Sequence, residues 1–192
     1  MAFTDFNRIG EVQVAYQIFH QHENFIPSIE KEPPVSLVEE FAFKHKYLNP
    51  LSSKAAFREN LVYPLLWNLY CNYGKKIMLW STPDIHVDET LYGNPDYIFS
   101  ARSHLGPCVL QTPILLSITL AENNDFLQGW ARCLAMMVGA QKLNENKDLT
   151  IYGIVTDGVR WDFGKLSGST FTEQFIHYNM SSYLSAVYGC VD

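Results

Sequence analysis

The chain lacks a CxxC pair, a G-x-S-x-G elbow, a basic cluster and a long apolar run, and each absence removes a class of function. The four cysteines, Cys71, Cys108, Cys133 and Cys190, stand far apart. That spacing argues against zinc and against a disulfide framework, and fits a reducing cytoplasm. Without the nucleophile elbow, and with His20, His22, His45, His86, His104 and His177 scattered, Ser/His/Asp catalysis has no support. His20 and His22 cannot face one way on a helix, so no zinc pair is expected from them. Lys and Arg number 14 against 20 Asp and Glu, a formal charge of −6. Neutralising a phosphate backbone needs clustered cations, so charge does not support a nucleic-acid partner. Aromatic residues make up 14% of the chain but are not interleaved with basic ones, as a stacking platform would require.

The longest apolar run, Pro113 to Ala121, includes Ser117 and Thr119 and is too short to span a bilayer. Residues 1–11 meet Asp5 and Glu11 before any apolar stretch, unlike a secretory leader. The expectation is a cytoplasmic protein without a membrane partner. At 192 residues and 47% hydrophobic content, the chain can bury one sizeable core.

What is present is a sequence of periodic segments. EVQVAYQIFHQH (11–22) reads as a helix, IPSIEKEPPVS (26–36) as a break, and VSLVEEFAFKHK (35–46) as a second helix. Ser53 is placed to cap a long helix over 54–74, which Pro64 should kink or split and Gly74 should end. Three strands are expected, over 75–80, within 94–102 and over 113–121. A helix over 125–144 follows, with Asp125 and Gln128 at capping-box spacing. That helix is apolar nearly all round, except for the stripe Gln128, Arg132, Ala135, Gly139 and Lys142, and so should lie buried between layers. LTIYGIVTDGVRWDFGKL (149–166) reads as a hairpin turning at Asp157-Gly158, before a strand over 170–178 and a short helix over 181–189. Trp67, Trp130 and Trp161 are expected in the core. Strands, a buried helix and more strands give an α/β domain with a mixed sheet.

Asn94-Pro95-Asp96-Tyr97, an acid at the end of the next strand, a Gln-Gly-Trp helix and the IYGIVTDGVRWDFGKL hairpin resemble the PD-(D/E)xK, or restriction-endonuclease-like, superfamily. The similarity is closest to its small bacterial members and covers residues 54 to 178. It implies a restriction-endonuclease-like core, a mixed central sheet flanked by helices, over 51–192, with an N-terminal helical extension over 1–50. In that superfamily the Asp of PD and the acid of (D/E)xK hold Mg²⁺ or Mn²⁺, and the lysine activates or orients water. A divalent cation stabilises charge on the phosphodiester oxygens while generating a hydroxide nucleophile.

The chain departs from the motif at the acid. Aligning Phe126 and Gln128-Gly129-Trp130 without a gap puts Leu120 at the acid position, Ala121 in register, and Glu122 at the lysine position. A two-residue shift gives Glu122-Asn123-Asn124 and no lysine. The metal ligands implied are therefore Asp96 and Glu122, with Glu59 as an added helical acid and Arg132 as a displaced positive charge near the phosphate. Each also has a plain reading: Asp96 as a turn residue, Glu122 as a solvated loop acid, and Glu59 as a surface acid of its helix. Two functions follow from the resemblance. One is a degenerate, catalytically inactive nuclease fold serving as an interaction or regulatory module, with a protein partner or a second copy of itself. The other is a Mg²⁺- or Mn²⁺-dependent nuclease acting on DNA or RNA.

Overall fold

A computed structural model describes residues 2–27 and 31–191. Helices α1 (Ile9–Tyr16), α2 (Val35–Tyr47), α3 (Lys54–Phe57), α4 (Tyr63–Tyr73), α5 (Phe126–Leu143) and α6 (Met180–Val191) pack around an eight-stranded mixed sheet. The sheet strands are β1 (Phe19–Glu23), β2 (Ile77–Ser81), β5 (Tyr97–Ala101), β6 (Gln111–Leu120), β7 (Ile151–Thr156), β8 (Arg160–Ser167), β9 (Thr170–Gln174) and β10 (Tyr178–Asn179). Their order is β1-β9-β8-β7-β6-β5-β2, with β10 paired to β8. The β1–β9 and β6–β7 pairs are parallel, and the other pairs are antiparallel. A separate hairpin, β3 (Ile85–Asp88) and β4 (Leu91–Gly93), lies off the sheet and was not expected from the sequence.

Two cores flank the sheet. One gathers Trp130, Leu134, Met137 and Val138 of α5 with Phe3, Phe6, Val12, Ile85 and Leu91. The other gathers Leu61, Leu65, Leu66 and Leu69 with Tyr97, Ile118, Leu120, Trp161 and Phe163. Helix α5 is thus sandwiched between the sheet and a layer made of α1 and the β3–β4 hairpin. Its polar stripe meets that layer: Gln128 donates to Asn7 Oδ1 at 2.7 Å, and Lys142 pairs with Asp88 at 2.7 Å. A Cβ on Gly139 would stand 3.2 Å from Val87 and 3.3 Å from Phe3, so the glycine sets how closely the layers approach. Asp125 caps α5 by accepting from Gln128 N at 2.9 Å, but the Gln128 side chain leaves the capping box to reach Asn7.

The helix expected over 11–22 stops early. Gln17 adopts a left-handed conformation (φ 54°), Gln13 Nε2 donates to Ile18 O at 3.1 Å, and the chain turns into β1. The first fifty residues therefore contribute an edge strand to the sheet as well as helices. Ser53 Oγ accepts from Ala56 N at 3.1 Å, capping α3. The long helix is split at a π-helical segment, Arg58–Val62, just before Pro64, where the ring's missing N–H is tolerated. Gly74 keeps ordinary helical φ (−58°), so its small size under the Tyr70 ring matters rather than left-handed freedom. The Asp157-Gly158 turn forms as expected: Asp157 Oδ1 accepts from Val159 N and Arg160 N, with Gly158 at φ 88°. Trp130 and Trp161 are buried, whereas Trp67 is 49% exposed and stacks on Tyr63 outside the core.

Candidate functional site

Strands β5 and β6 run antiparallel, pairing Tyr97 with Ile118, which brings the turn before β5 beside the end of β6. Asp96 uses this adjacency: its Oδ2 accepts from Leu120 N at 2.9 Å. Alternation along β6 sends Leu116, Ile118 and Leu120 toward the α3–α4 layer. There Leu120 is 2% exposed, packed with Leu61, Val62 and Trp161. Beyond the strand, Glu122 opens a short 3-10 turn in which Asn123 is left-handed (φ 51°).

Asp96 and Glu122 converge on a lysine that the sequence reading did not select. Lys54 Nζ lies 3.1 Å from Asp96 Oδ1 and 2.7 Å from Glu122 Oε1. Although burial opposes its charge, bonds and attraction from Glu122 and Asp96 hold the ammonium above its ordinary pKa. The hydrogen bond from Lys54, then its charge, holds Glu122 below the ordinary carboxylate range, with a smaller contribution from Arg132. Arg132 on α5 is therefore within electrostatic reach of Glu122, and its Nε is buried without a hydrogen-bond partner. No local pattern marked Lys54. It is the first residue of α3, after a capping serine, and 42 positions before Asp96 in the chain.

Glu59 is exposed in the π-helical segment. It lines an open cleft of about 490 Å³ with Lys54, Arg58, Tyr63, Ser81 and Tyr97. Arg58 Nε donates to Tyr97 Oη at 3.2 Å and its guanidinium also reaches Ser81 Oγ. On the other side of Lys54 a second cleft, about 500 Å³, is lined by Ser52, Ser53, Asn123, Asn124 and Asp157. Between the two clefts, Asp96 and Glu122 are offset by the Lys54 ammonium that both contact.

The β1 edge of the sheet holds a second polar cluster. On β1, unlike on a helix, His20 and His22 share a face. The zinc pair ruled out on a helix is thus geometrically open, and Glu173 of β9 joins it. Between the two edges, buried Asp162 accepts from Arg160 at 2.8 and 2.6 Å, and His177 Nδ1 stands 2.8 Å from its Oδ1. Arg160 also lies over the Phe126 ring, 4.3 Å from its centroid. These contacts tie the hairpin to the start of α5. Among the described residues, no helix is long and apolar enough to cross a membrane. No family model and no curated protein matches this chain.

Proposed function

We propose that this chain is a restriction-endonuclease-like fold in which the Lys54 ammonium has taken the place of the catalytic cation, leaving a binding module that does not hydrolyse phosphodiesters. The observation that carries this reading is the position of Lys54 Nζ between Asp96 and Glu122, with buried Leu120 aligned to the acid of (D/E)xK. Mg²⁺ and Mn²⁺ take oxygen ligands, and Mg²⁺ binds them at about 2.1 Å. An ammonium bonded to both carboxylates competes for that position. Two charges about 4 Å apart near a protein surface interact by about 4 kcal/mol per unit product, so a divalent ion and Lys54 would repel strongly. Asp96 is further committed to Leu120 N. A module of this kind acts through its surface. The exposed aromatic pairs Phe43–Tyr47 on α2 and Tyr63–Trp67 on α4 supply apolar surface for a protein partner or a second copy.

One observation favours the nuclease as a second reading: Lys54 reaches Asp96, as the missing motif lysine would. In that case Asp96 and Glu122 hold Mg²⁺ or Mn²⁺, Lys54 orients the water, and Glu59 and Arg132 border the phosphate. Mn²⁺ calorimetry separates the readings, using the full chain and its Asp96→Ala/Glu122→Ala and Lys54→Met variants. The binding module predicts no Mn²⁺ binding to these carboxylates in the wild type and new binding in Lys54→Met. Wild-type binding that vanishes in the double variant, together with Mn²⁺-dependent cleavage of DNA or RNA, would select the nuclease.

A further inference from the structure

We propose that His20, His22 and Glu173 form a binding site for a first-row transition ion of the Zn²⁺ type, distinct from the Asp96–Glu122 region and independent of the reading given for it. The site is built by the sheet. Parallel pairing sets His22 opposite Glu173 and His20 opposite Phe171. With a two-residue period, both imidazoles and the carboxylate project from one face. Their candidate donor atoms all lie within 4.8 Å of one another. His20 Nε2 is already 3.1 Å from Glu173 Oε2, and the two imidazole rings are 4.7 Å apart between centroids.

A tetrahedral zinc with bonds of about 2.0–2.1 Å holds its ligand atoms roughly 3.3 Å apart. Side-chain rotation alone brings three groups within 4.8 Å to that spacing. The floor is rigid and apolar: His20 lies 5.0 Å from the ring of Phe171, which in turn packs on Trp130 of α5. Just beyond β1 the chain is tied down again, where Gln174 Oε1 accepts from Phe25 N at 2.9 Å and Ile26 N at 3.1 Å. The site is therefore preorganised by backbone register rather than by a loop.

The donor set selects the ion. Two neutral imidazoles and one carboxylate suit zinc, nickel and copper, whereas magnesium and calcium require oxygen donors. Three protein ligands also leave a coordination position for water or an anionic ligand. Arg160 feels the Glu173 charge, but its guanidinium is held in a two-pronged bond to Asp162. Ligands lie on both β1 and β9, so the ion would pin the N-terminal edge strand to the sheet.

The test is Zn²⁺ calorimetry and thermal unfolding of the full chain. One Zn²⁺ per chain should bind with low-micromolar or tighter affinity, raising Tm by about 5–10 °C at a hundredfold excess over Kd. His20→Ala/His22→Ala and Glu173→Gln should each weaken binding by about a hundredfold or more. Loss of a direct ligand costs at least what loss of its hydrogen-bonded support does. Asp96→Ala/Glu122→Ala and Cys71→Ser/Cys108→Ser should leave it unchanged. Glu173→Gln preserves side-chain shape, so unfolding would not mimic its effect. Absence of Zn²⁺ binding, insensitivity to the three ligands, or loss in the cysteine variant would each overturn the proposal, leaving only a hydrogen-bonded His20–Glu173 pair.

Discussion

The two polar clusters, one beside β5 and β6 and the other on β1 and β9, differ in one respect that outweighs their donor types. Beside β5 and β6, Asp96 and Glu122 share the ammonium of Lys54. Beside β1 and β9, Glu173 bonds His20 and stands close to His22, and Arg160 is bonded to Asp162. Carboxylates at a strand end therefore do not by themselves make a metal site; the charge already present among them decides. The first cluster brings its cation within the chain, whereas the second gathers two imidazoles and one carboxylate. Salt-bridged acids stabilise the fold modestly, whereas an ion binding only the folded state adds stability that grows with the logarithm of its concentration above Kd.

The sharpest way to break the comparison is to restore the acid the first region lacks. Leu120→Glu places a carboxylate where the side chain is 2% exposed among Leu61, Val62 and Trp161. An unpaired buried charge of this kind should cost about 3–5 kcal/mol, read from the urea midpoint. Adding Lys54→Met removes the ammonium and leaves three carboxylates facing one another. If Leu120 occupies the acid position, millimolar Mn²⁺ should then recover part of the lost stability. A midpoint indifferent to Mn²⁺ would mean that Leu120 is simply core.

A smaller effect is expected from Lys54→Met alone, and it carries a pH signature. The Lys54 and Glu122 side chains are 38% and 45% exposed, so solvent screening limits the loss to about 1 kcal/mol. Glu122 is held below its ordinary 4.5, so its contribution is present above that pH and lost as pH falls through its lowered value. Lys54 is held above its ordinary 10.5, so its contribution is complete below that pH and lost as pH rises through its raised value. The stability gap between wild type and variant should thus stay flat between about pH 5 and pH 10 and narrow on both sides. A gap that grew on acidification would refute the ion pair as its cause.

The sequence made the local elements legible and the long-range pairings much less so. Ser53, Asp125 and Asp157 act through bonds to backbone groups two or three residues away, so their spacing alone announced them. The all-round apolarity of α5 likewise announced burial on both sides. His20 and His22 were misread because a left-handed Gln17 converts the helical pattern into a strand, and that change turns two opposed imidazoles into neighbours. The Lys54 contact was invisible because the residues it joins are distant in sequence. Asp96 and Glu122 were legible only through the PD resemblance.

The smallest effect concerns Glu59, which the resemblance makes a metal ligand and its surroundings make a surface acid. It is exposed, and it shares its cleft with both Arg58 and Lys54, so removing its charge should shift stability by no more than about 0.5 kcal/mol. Glu59→Gln keeps the shape while removing the anion. In a Lys54→Met background, where Asp96 and Glu122 are released, the same substitution becomes informative about ligation. A Glu59 that only borders the cleft leaves the new Mn²⁺ affinity within about twofold, since screened charges at a distance contribute little. A tenfold loss corresponds to about 1.4 kcal/mol and would require direct or water-bridged contact with the ion. The region would then hold three acids around the one cation position that Lys54 fills in the wild type.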